Sequence, residues 1–368
     1  MTRVPSRSLT RTARSSPTSA TRSSSAAAAE AATANGRSAG SKSSLPAPRD
    51  TLQNAERVLG DSLEGRQRVN RVKPRFGVLL LQNVPAMVLI DRARRAEAMG
   101  FDQVWVGDHF VNPYAPGQDW FDGWSILAAL AVSTSRVRLG PLVSSVTLHN
   151  PARLARTAMT VDHLSGGRLE LGIGPGGAPL DYAMTGLPVW PPGERVERLE
   201  ETLDILESLL ERGSVDHTGP HYWIEGAVVA PPPVQRPRPP ITVGALGRRA
   251  IGIAARHAET WNTYGVAVGR DVRGALDHAG AVDATRRRVA LLDEACVAAG
   301  RDPASIRRSY LSFQGITQPI LEPNAFLDFV GDFQEAGIDD FIVYWPDGEE
   351  AEHRLTALVD LAFPTLRG

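Results

Sequence analysis

RFGVLLLQNVPAMVLIDRARRAEAMGFDQVWVGDHF, residues 75–110, reads as a strand, a helix and a second strand in immediate succession. Phe76 to Leu81 is an unbroken apolar run of strand length. Ala86, Leu89, Ala93 and Ala96 then recur at spacings of three and four on one helical face, and Gly100 stops the helix. Gln103 to Gly107 is the second strand. The turn between the first strand and its helix is Gln82-Asn83-Val84-Pro85, without the glycines that a dinucleotide-binding doubly wound fold places there. Working outward, further strands are expected at Val137–Val143, Leu169–Ile173, Ile241–Ala245, Thr260–Tyr264, Ser309–Gln314 and Phe341–Trp345. Helices are expected near 126–132, after the Asn150-Pro151 cap with Leu154, Ala158 and Val161 buried, and near 248–258, 283–299, 324–336 and 350–361. The clearest spans 194–212, where Val196, Leu199, Leu203, Leu206 and Leu210 form the stripe and Gly213 ends it. Eight strand-helix units of this size predict an α/β chain closed into a (β/α)8 TIM barrel, with the chemistry at the C-terminal ends of the strands.

The 368 residues are 42% apolar and 22% charged, with a net charge of −1, which excludes a wholly disordered chain and a dedicated nucleic-acid or membrane-surface binder. The balance joins two unlike pieces. Of 40 Lys+Arg and 41 Asp+Glu, thirteen and five fall in residues 1–74, leaving 27 against 36 for residues 75–368. Residues 1–48 are rich in Ser, Thr, Ala and Arg with little to bury, so residues 1–74 are expected to form a disordered, low-complexity tail and residues 75–368 the barrel domain. An organelle-targeting role for the Arg- and Ser-rich start is the alternative to a bare tail or a misplaced start. One cysteine, Cys296, rules out a disulfide framework or a multi-cysteine metal site and points to the cytoplasm. Both lysines, Lys42 and Lys73, lie in the first piece, so the barrel has neither a Schiff-base lysine nor a Walker-type phosphate loop. No run is long enough to span a bilayer.

The second strand ends Val104-Trp105-Val106-Gly107-Asp108-His109-Phe110. A histidine at that rim is the best candidate for acid-base work, because an unperturbed imidazole titrates near neutral pH, and Asp108 beside it is positioned to orient the ring or raise its basicity. His163, His217, His221 and His257 read as structural or solvated, and no other histidine is expected at a comparable strand end. His217 and His221 stand at His-x-x-x-His spacing, but in the Pro-rich excursion rather than on a predicted helix, and no Gly-x-Ser-x-Gly elbow occurs, so no metal or serine nucleophile is expected. Two glycine-rich turns, Gly172-Ile173-Gly174-Pro175-Gly176-Gly177 and Gly244-Ala245-Leu246-Gly247 before Arg248-Arg249, allow close approach of backbone to a flat ring or a phosphate, or simply make tight turns.

Gly107-Asp108-His109-Phe110, Leu139-Gly140-Pro141-Leu142-Val143 with Asn150-Pro151, the run Leu164-Ser165-Gly166-Gly167-Arg168-Leu169-Glu170-Leu171-Gly172-Ile173-Gly174, and Gly193-Glu194-Arg195 together resemble the luciferase-like monooxygenase family over about residues 75–365. Within it the chain is most similar to the oxidoreductases that use the deazaflavin coenzyme F420. That resemblance implies hydride transfer between F420 and a small-molecule substrate, with His109 beside the deazaflavin C5 and Asp108 contacting the coenzyme. It further implies a non-prolyl cis peptide at Leu142-Val143 supporting the ring. Pro175, Gly176 and Gly177 would line the ring, and Ala245, Leu246, Gly247 and Arg248 would hold the phosphate. The family also contains FMN-dependent monooxygenases that use O2, and non-catalytic flavin-binding relatives, against which an intact His109 argues. Sugar-phosphate dehydrogenases of this group carry a glutamate where Gly177 stands and a tryptophan where Pro113-Tyr114 stand, so their acid-base pair is not implied. Trp120, Phe121, Trp124, Trp190, Pro191 and Pro192 are expected near an apolar pocket. No nucleic-acid or membrane partner is expected, and a homodimer is left open.

The composition of residues 1–48 generates one prediction. Deleting them should leave the melting temperature within about 2 °C, an effect under roughly 1 kcal/mol. Differential scanning fluorimetry of the truncated chain checks this, and a ten-degree drop would contradict it.

Overall fold

In the computed structural model, residues 73–266, 276–312 and 321–368 are described, and all structural statements concern these. The expected tail, apart from Lys73 and Pro74, lies outside them, as does the end of the strand expected at 309–314. The described strands are β1 (Arg75–Leu80), β2 (Gln103–Val106), β3 (Arg138–Pro141), the two-residue β4 (Ser144–Ser145), β5 (Leu171–Gly174), the pair β6 (Ser214–Thr218) and β7 (Trp223–Val228), then β8 (Ile241–Gly244), β9 (Thr260–Tyr264), β10 (Arg307–Leu311) and β11 (Asp340–Tyr344). All but β6 and β7 join one parallel sheet in the order β3-β2-β1-β11-β10-β9-β8-β5-β4. The sheet curls until its ends meet. Leu139 bridges Leu169 in parallel, the Leu139 N–H donating to the Arg168 carbonyl at 3.0 Å and the Glu170 N–H to the Leu139 carbonyl at 2.8 Å. The barrel is therefore closed, as the alternation of strand and helix predicts.

Around it lie α1 (Ala86–Met99), α2 (Gly123–Ser133), α3 (Pro151–Leu164), the short α4 (Pro179–Thr185), α5 (Pro192–Glu207), α6 (Arg248–His257), α7 (His278–Ala298), α8 (Pro323–Glu335) and α9 (Glu349–Arg367). Their buried stripes pack on the outward faces of the strands; Leu89, Ala93 and Ala96 of α1 are fully buried. None of the described helices is long and apolar enough to cross a membrane. The structure departs from the sequence reading in three places. The strand expected at 137–143 is interrupted, β3 and β4 lying on either side of the Leu142-Val143 bond, which is cis as the resemblance implies. The helix expected at 194–212 is α-helical to Glu207 and finishes in a π-helical turn over Ser208–Arg212, capped by left-handed Gly213. The Pro-rich excursion holds an antiparallel hairpin, β6 with β7. Its strands bury no residue fully, so hydrophobic alternation could not announce them.

Inside the barrel, side chains alternate with those facing the helices. At the N-terminal end, Arg75 and Arg307 close on fully buried Asp340, and Glu170 accepts from Arg138 at 2.6 Å, Gln103 at 2.9 Å and Arg75 at 3.2 Å. This polar floor leaves each buried carboxylate matched by cations, which is the condition for tolerating charge there. Above it, Trp105 fills the middle tier because neighbouring positions carry no side chain. A Cβ on Gly77 would lie 3.0 Å from the Trp105 indole nitrogen, and one on Gly140 would lie 2.6 Å from the indole ring. The seam between β3 and β5 is tighter still. A Cβ on Gly140 would stand 2.2 Å from the Glu170 carbonyl oxygen, and one on Gly172 would stand 2.0 Å from that of Pro141.

Those distances make closure depend on glycine at position 140. Gly140→Ala should destabilise the protein by about 3 kcal/mol or more, because both the obstructing atom and the ring are held by the barrel itself. Gly252→Ala, in the open interior of α6, should instead stabilise it by roughly 0.4–1 kcal/mol. Urea denaturation of both variants checks the pair, and a Gly140→Ala protein within 1 kcal/mol of wild type would contradict it.

Candidate active site

The C-terminal rim begins with a clamp supplied by the glycine-free turn after β1. Fully buried Gln82 donates from Nε2 to the Gly107 carbonyl at 2.6 Å and accepts the Gly107 N–H on Oε1 at 3.1 Å, fixing both faces of the chain where β2 ends. Trp120 Nε1 then donates to the His109 carbonyl at 3.0 Å. The imidazole is held separately. His109 Nδ1 lies 2.9 Å from Asp181 Oδ2, and Asp181 Oδ1 accepts the Phe110 N–H at 2.9 Å. Asp181 is 3% exposed at its side chain against 36% for His109, so a buried carboxylate carries a half-exposed ring. Among the described residues nothing bonds to Nε2. With Nδ1–H given to the carboxylate, Nε2 is the atom at which this ring can accept or release a proton.

Asp108 does not orient His109, contrary to the sequence reading. Consecutive residues at a strand end face opposite ways, and Asp108 turns toward β4. Its Oδ2 accepts from Ser144 Oγ at 2.6 Å and lies 2.6 Å from His149 Nε2, while Trp124 Nε1 donates to Ser144 Oγ at 2.9 Å. Burial works against charge on His149, but the bond to Asp108 and the negative charges of Asp108 and Asp122 outweigh it and hold the ring above its ordinary value of 6.5, with Arg153 opposing. The rim thus carries two imidazole–carboxylate pairs that share neighbouring residues of one strand end.

The other expected site residues divide. Val143, beyond the cis bond, occupies the space that the glycines leave: Cβ atoms on Gly174, Gly244 and Gly172 would lie 2.5, 3.2 and 3.3 Å from its methyl groups. Glycines 172, 174 and 244 therefore admit Val143 rather than open backbone to a ligand. Gly176 and Gly177 do have positive φ, and Pro175 is part-exposed beside them. Arg195 Nη1 donates to the Gly176 carbonyl at 2.8 Å and sits where any side chain on residue 177 would go, 1.7 Å from its Cβ position. Ala245 is buried with both backbone groups spent: its N–H donates to Asn262 and its carbonyl accepts from Trp261 Nε1. Leu246 and Gly247 remain part-exposed ahead of α6, and Arg248 points outward to Glu294 at 3.4 Å. Leu142 packs with Leu79, Trp105, Leu311, Ile342 and Tyr344 in the apolar tier under the mouth, with Leu81 and Tyr264 at its edge. Burial pushes the Tyr264 and Tyr344 phenols up, so both are neutral hydrogen-bonding groups. Of the expected pocket aromatics, Trp124 is buried, Trp120 holds the His109 loop and Trp190 stacks under the Arg198 guanidinium at 3.9 Å.

A planar, polar-edged ring fits this donor set. At the rim, Arg195 Nε and Asn83 Oδ1 are buried without a protein partner, one donor and one acceptor, and Arg195 makes no ion pair among the described residues. Asp204, Glu207 and His257 also gather, with ligand atoms within 4.8 Å, but on the helical shell, where Arg238 already pairs with Glu207. Sequence reasoning missed Asp181 and His149. Asp181 lies in a seven-residue helix too short for periodicity, although Pro179 at its first turn with an acid two residues on is a helix-start signal. His149 directly precedes the Asn150 cap, whose side chain accepts from the Ala152 and Arg153 N–H groups, so its place after β4 was available from the cap itself.

Comparison with known proteins gives the same frame. The F420-dependent glucose-6-phosphate dehydrogenase of Amycolatopsis mediterranei (strain U-32) is 35% identical over 162 residues, 42% of this chain and 46% of that protein. The chain spans about half the length of the curated relatives it matches. An F420-dependent secondary alcohol dehydrogenase, solved in complex with an F420-acetone adduct, superposes with a TM-score of 0.67 at 19% identity, over 79% of this chain and 99% of that one. Long-chain alkane monooxygenase superposes with a TM-score of 0.64 at 16% identity, over 79% and 91%. Likeness at such identities shows the fold alone. The model of the luciferase-like monooxygenase family matches residues 72–354, and the chain belongs to that family.

Proposed function

We propose that this chain is an oxidoreductase that transfers a hydride between coenzyme F420 and a small organic substrate, with His109 moving the accompanying proton at Nε2. The observation that carries the reading is the His109–Asp181 pair: an imidazole open to the barrel mouth on one nitrogen and fixed by a buried carboxylate on the other. F420, when bound, supplies a ring carbon that gives or takes the hydride. The protein's own residues do the rest. Asp181 sets the tautomer of His109 and stabilises the ring when it gains a proton, and Trp120 and Gln82 keep its backbone from yielding. Arg195 Nε and Asn83 Oδ1 offer a donor and an acceptor to the edge of a polar ring, and the tier of Leu142, Tyr264 and Tyr344 offers an apolar bed.

F420 is favoured over FMN by the relative from Amycolatopsis mediterranei, a family member that uses F420. Glucose 6-phosphate is not favoured as the substrate, because Arg195 fills the space where the sugar-phosphate enzymes carry their glutamate at position 177. Exposed Phe110, next in the chain to His109, suits a substrate with an apolar end.

Fluorescence titration should show F420 binding at least about ten times more tightly than FMN, a gap of roughly 1.4 kcal/mol. Equal or inverted affinities would favour a monooxygenase using FMN and O2. In single-turnover hydride transfer followed at the F420 absorbance, His109→Ala and His109→Asn should each be slower by about 100- to 10,000-fold with little change in F420 affinity. Asp181→Asn, which keeps the shape and loses the charge, should cost at least about tenfold. Rates within threefold of wild type for the His109 variants would assign proton transfer elsewhere.

A further inference from the structure

His149 belongs to no role derived so far, yet it makes one of the shortest polar contacts at the rim. The hydrogen-bond chain that ends on its partner has a fixed direction. Trp124 Nε1 can only donate, so Ser144 Oγ accepts there and gives its one proton to Asp108 Oδ2 at 2.6 Å. The same Oδ2 meets His149 Nε2 at 2.6 Å. An oxygen that already accepts a hydroxyl proton takes a second donor on its other lone pair, so Nε2 carries a proton and Asp108 is the acceptor of both. Asp108 is 4% exposed, and His149 is the one cation within ion-pair distance of it among the described residues. Burial of the carboxylate favours a cation beside it, and Asp122 adds a second negative charge that acts on the same ring.

We infer that His149, as an imidazolium, is a positioning residue: it neutralises Asp108 and thereby holds the Gly107–Phe110 turn in the shape that directs His109 toward Asp181. The inference rests on the reading of His109 as the proton-transfer residue, and it assigns the two rim imidazoles opposite duties. His149 keeps its proton, and His109 exchanges one. The groups facing His149 are Asp108 from the end of β2, Asp122 at the cap of α2, and Arg153 in the first turn of α3, the helix that follows it, two negative charges against one positive. Their balance agrees with the raised value of the ring. Folded-state stabilisation from the pair is complete below about pH 6.5, the ordinary value, and is lost as pH rises through the raised one.

The test uses the full chain labelled with 15N-histidine, without cofactor, so that its outcome is independent of the F420 reading. Two-bond 1H–15N correlation should show both ring nitrogens of His149 protonated at pH 7.0 in the wild type. Asp108→Asn should convert that ring to the neutral form at the same pH, and Asp181→Asn should leave it unchanged. A neutral His149 in the wild type at pH 7.0, or a His149 signal indifferent to Asp108→Asn, would overturn the charge assignment. For positioning, hydrogen-exchange mass spectrometry of His149→Leu should show peptides over residues 107–112 exchanging about tenfold faster, with β9 and β10 unchanged. His149→Gln, which keeps a donor, should restore part of that protection. Unchanged exchange in His149→Leu would reduce His149 to a surface contact. If His149→Leu fails to fold, the wild-type and Asp108→Asn spectra with His149→Gln exchange still decide. Absence of F420 turnover in the wild type would overturn the cofactor assignment while leaving these spectra to judge His149.

Discussion

The approach of β3 to β5 is the constraint on which the rest of the molecule depends. Backbone carbonyls of Glu170 and Pro141 lie where Cβ atoms of Gly140 and Gly172 would stand, so the sheet can close only with glycine at both positions. Closure at that seam has three consequences. It brings Glu170 within reach of Arg75, Gln103 and Arg138, completing the polar floor. It gives Trp105 a slot beside Gly140, filling the middle of the barrel. Beyond the seam, the chain leaves β3, passes Val143 over glycines 172, 174 and 244, and enters β4, from which Ser144 reaches Asp108. The scaffold and the rim are thus built from the same few residues.

Chemistry at the rim follows from how tightly one strand end is held. Gly107 is fixed by Gln82, His109 by Trp120 and Asp181, and Asp108 by Ser144 and His149. A turn anchored on every residue loses little orientational freedom when a substrate arrives, which is where positioned acid-base groups gain their effect. The anchors also come from different parts of the chain: Gln82 from the first turn, Ser144 and His149 from the seam, Asp181 from α4. A change in any of these segments is felt at His109 without touching it.

Much of this was legible in the sequence, and what was not had local causes. Eight of the nine strands of the sheet and the longer helices around them announce themselves because buried stripes at spacings of three and four, as in 199, 203 and 206, and apolar runs, as in Val104–Val106, report burial directly. His109 was legible as a lone histidine at a strand end. Its partner was not, because Asp181 lies 72 residues away and a buried pair across that distance leaves no trace in spacing. Asp108, adjacent in sequence, was the natural choice, and the strand's alternation turns it to the other side. The glycine-rich turns were legible as close approaches but not for what approaches: Val143 and Arg195 from this chain occupy several of those spaces. The hairpin β6–β7 escaped because its strands bury no residue fully, whereas the break between β3 and β4 falls at the cis bond that the resemblance, not the hydrophobic pattern, implied.

The central claim is that the His109–Asp181 pair faces the reacting ring of a bound deazaflavin. A crystal structure of the wild-type chain soaked with F420 tests it most directly. The account predicts the ring seated at the barrel mouth, with Asp181 still on Nδ1 and Nε2 of His109 within about 3–3.5 Å of the reacting atoms. Density for the ring away from this rim, or a His109 turned from Asp181 with its Nε2 buried in protein, would contradict it.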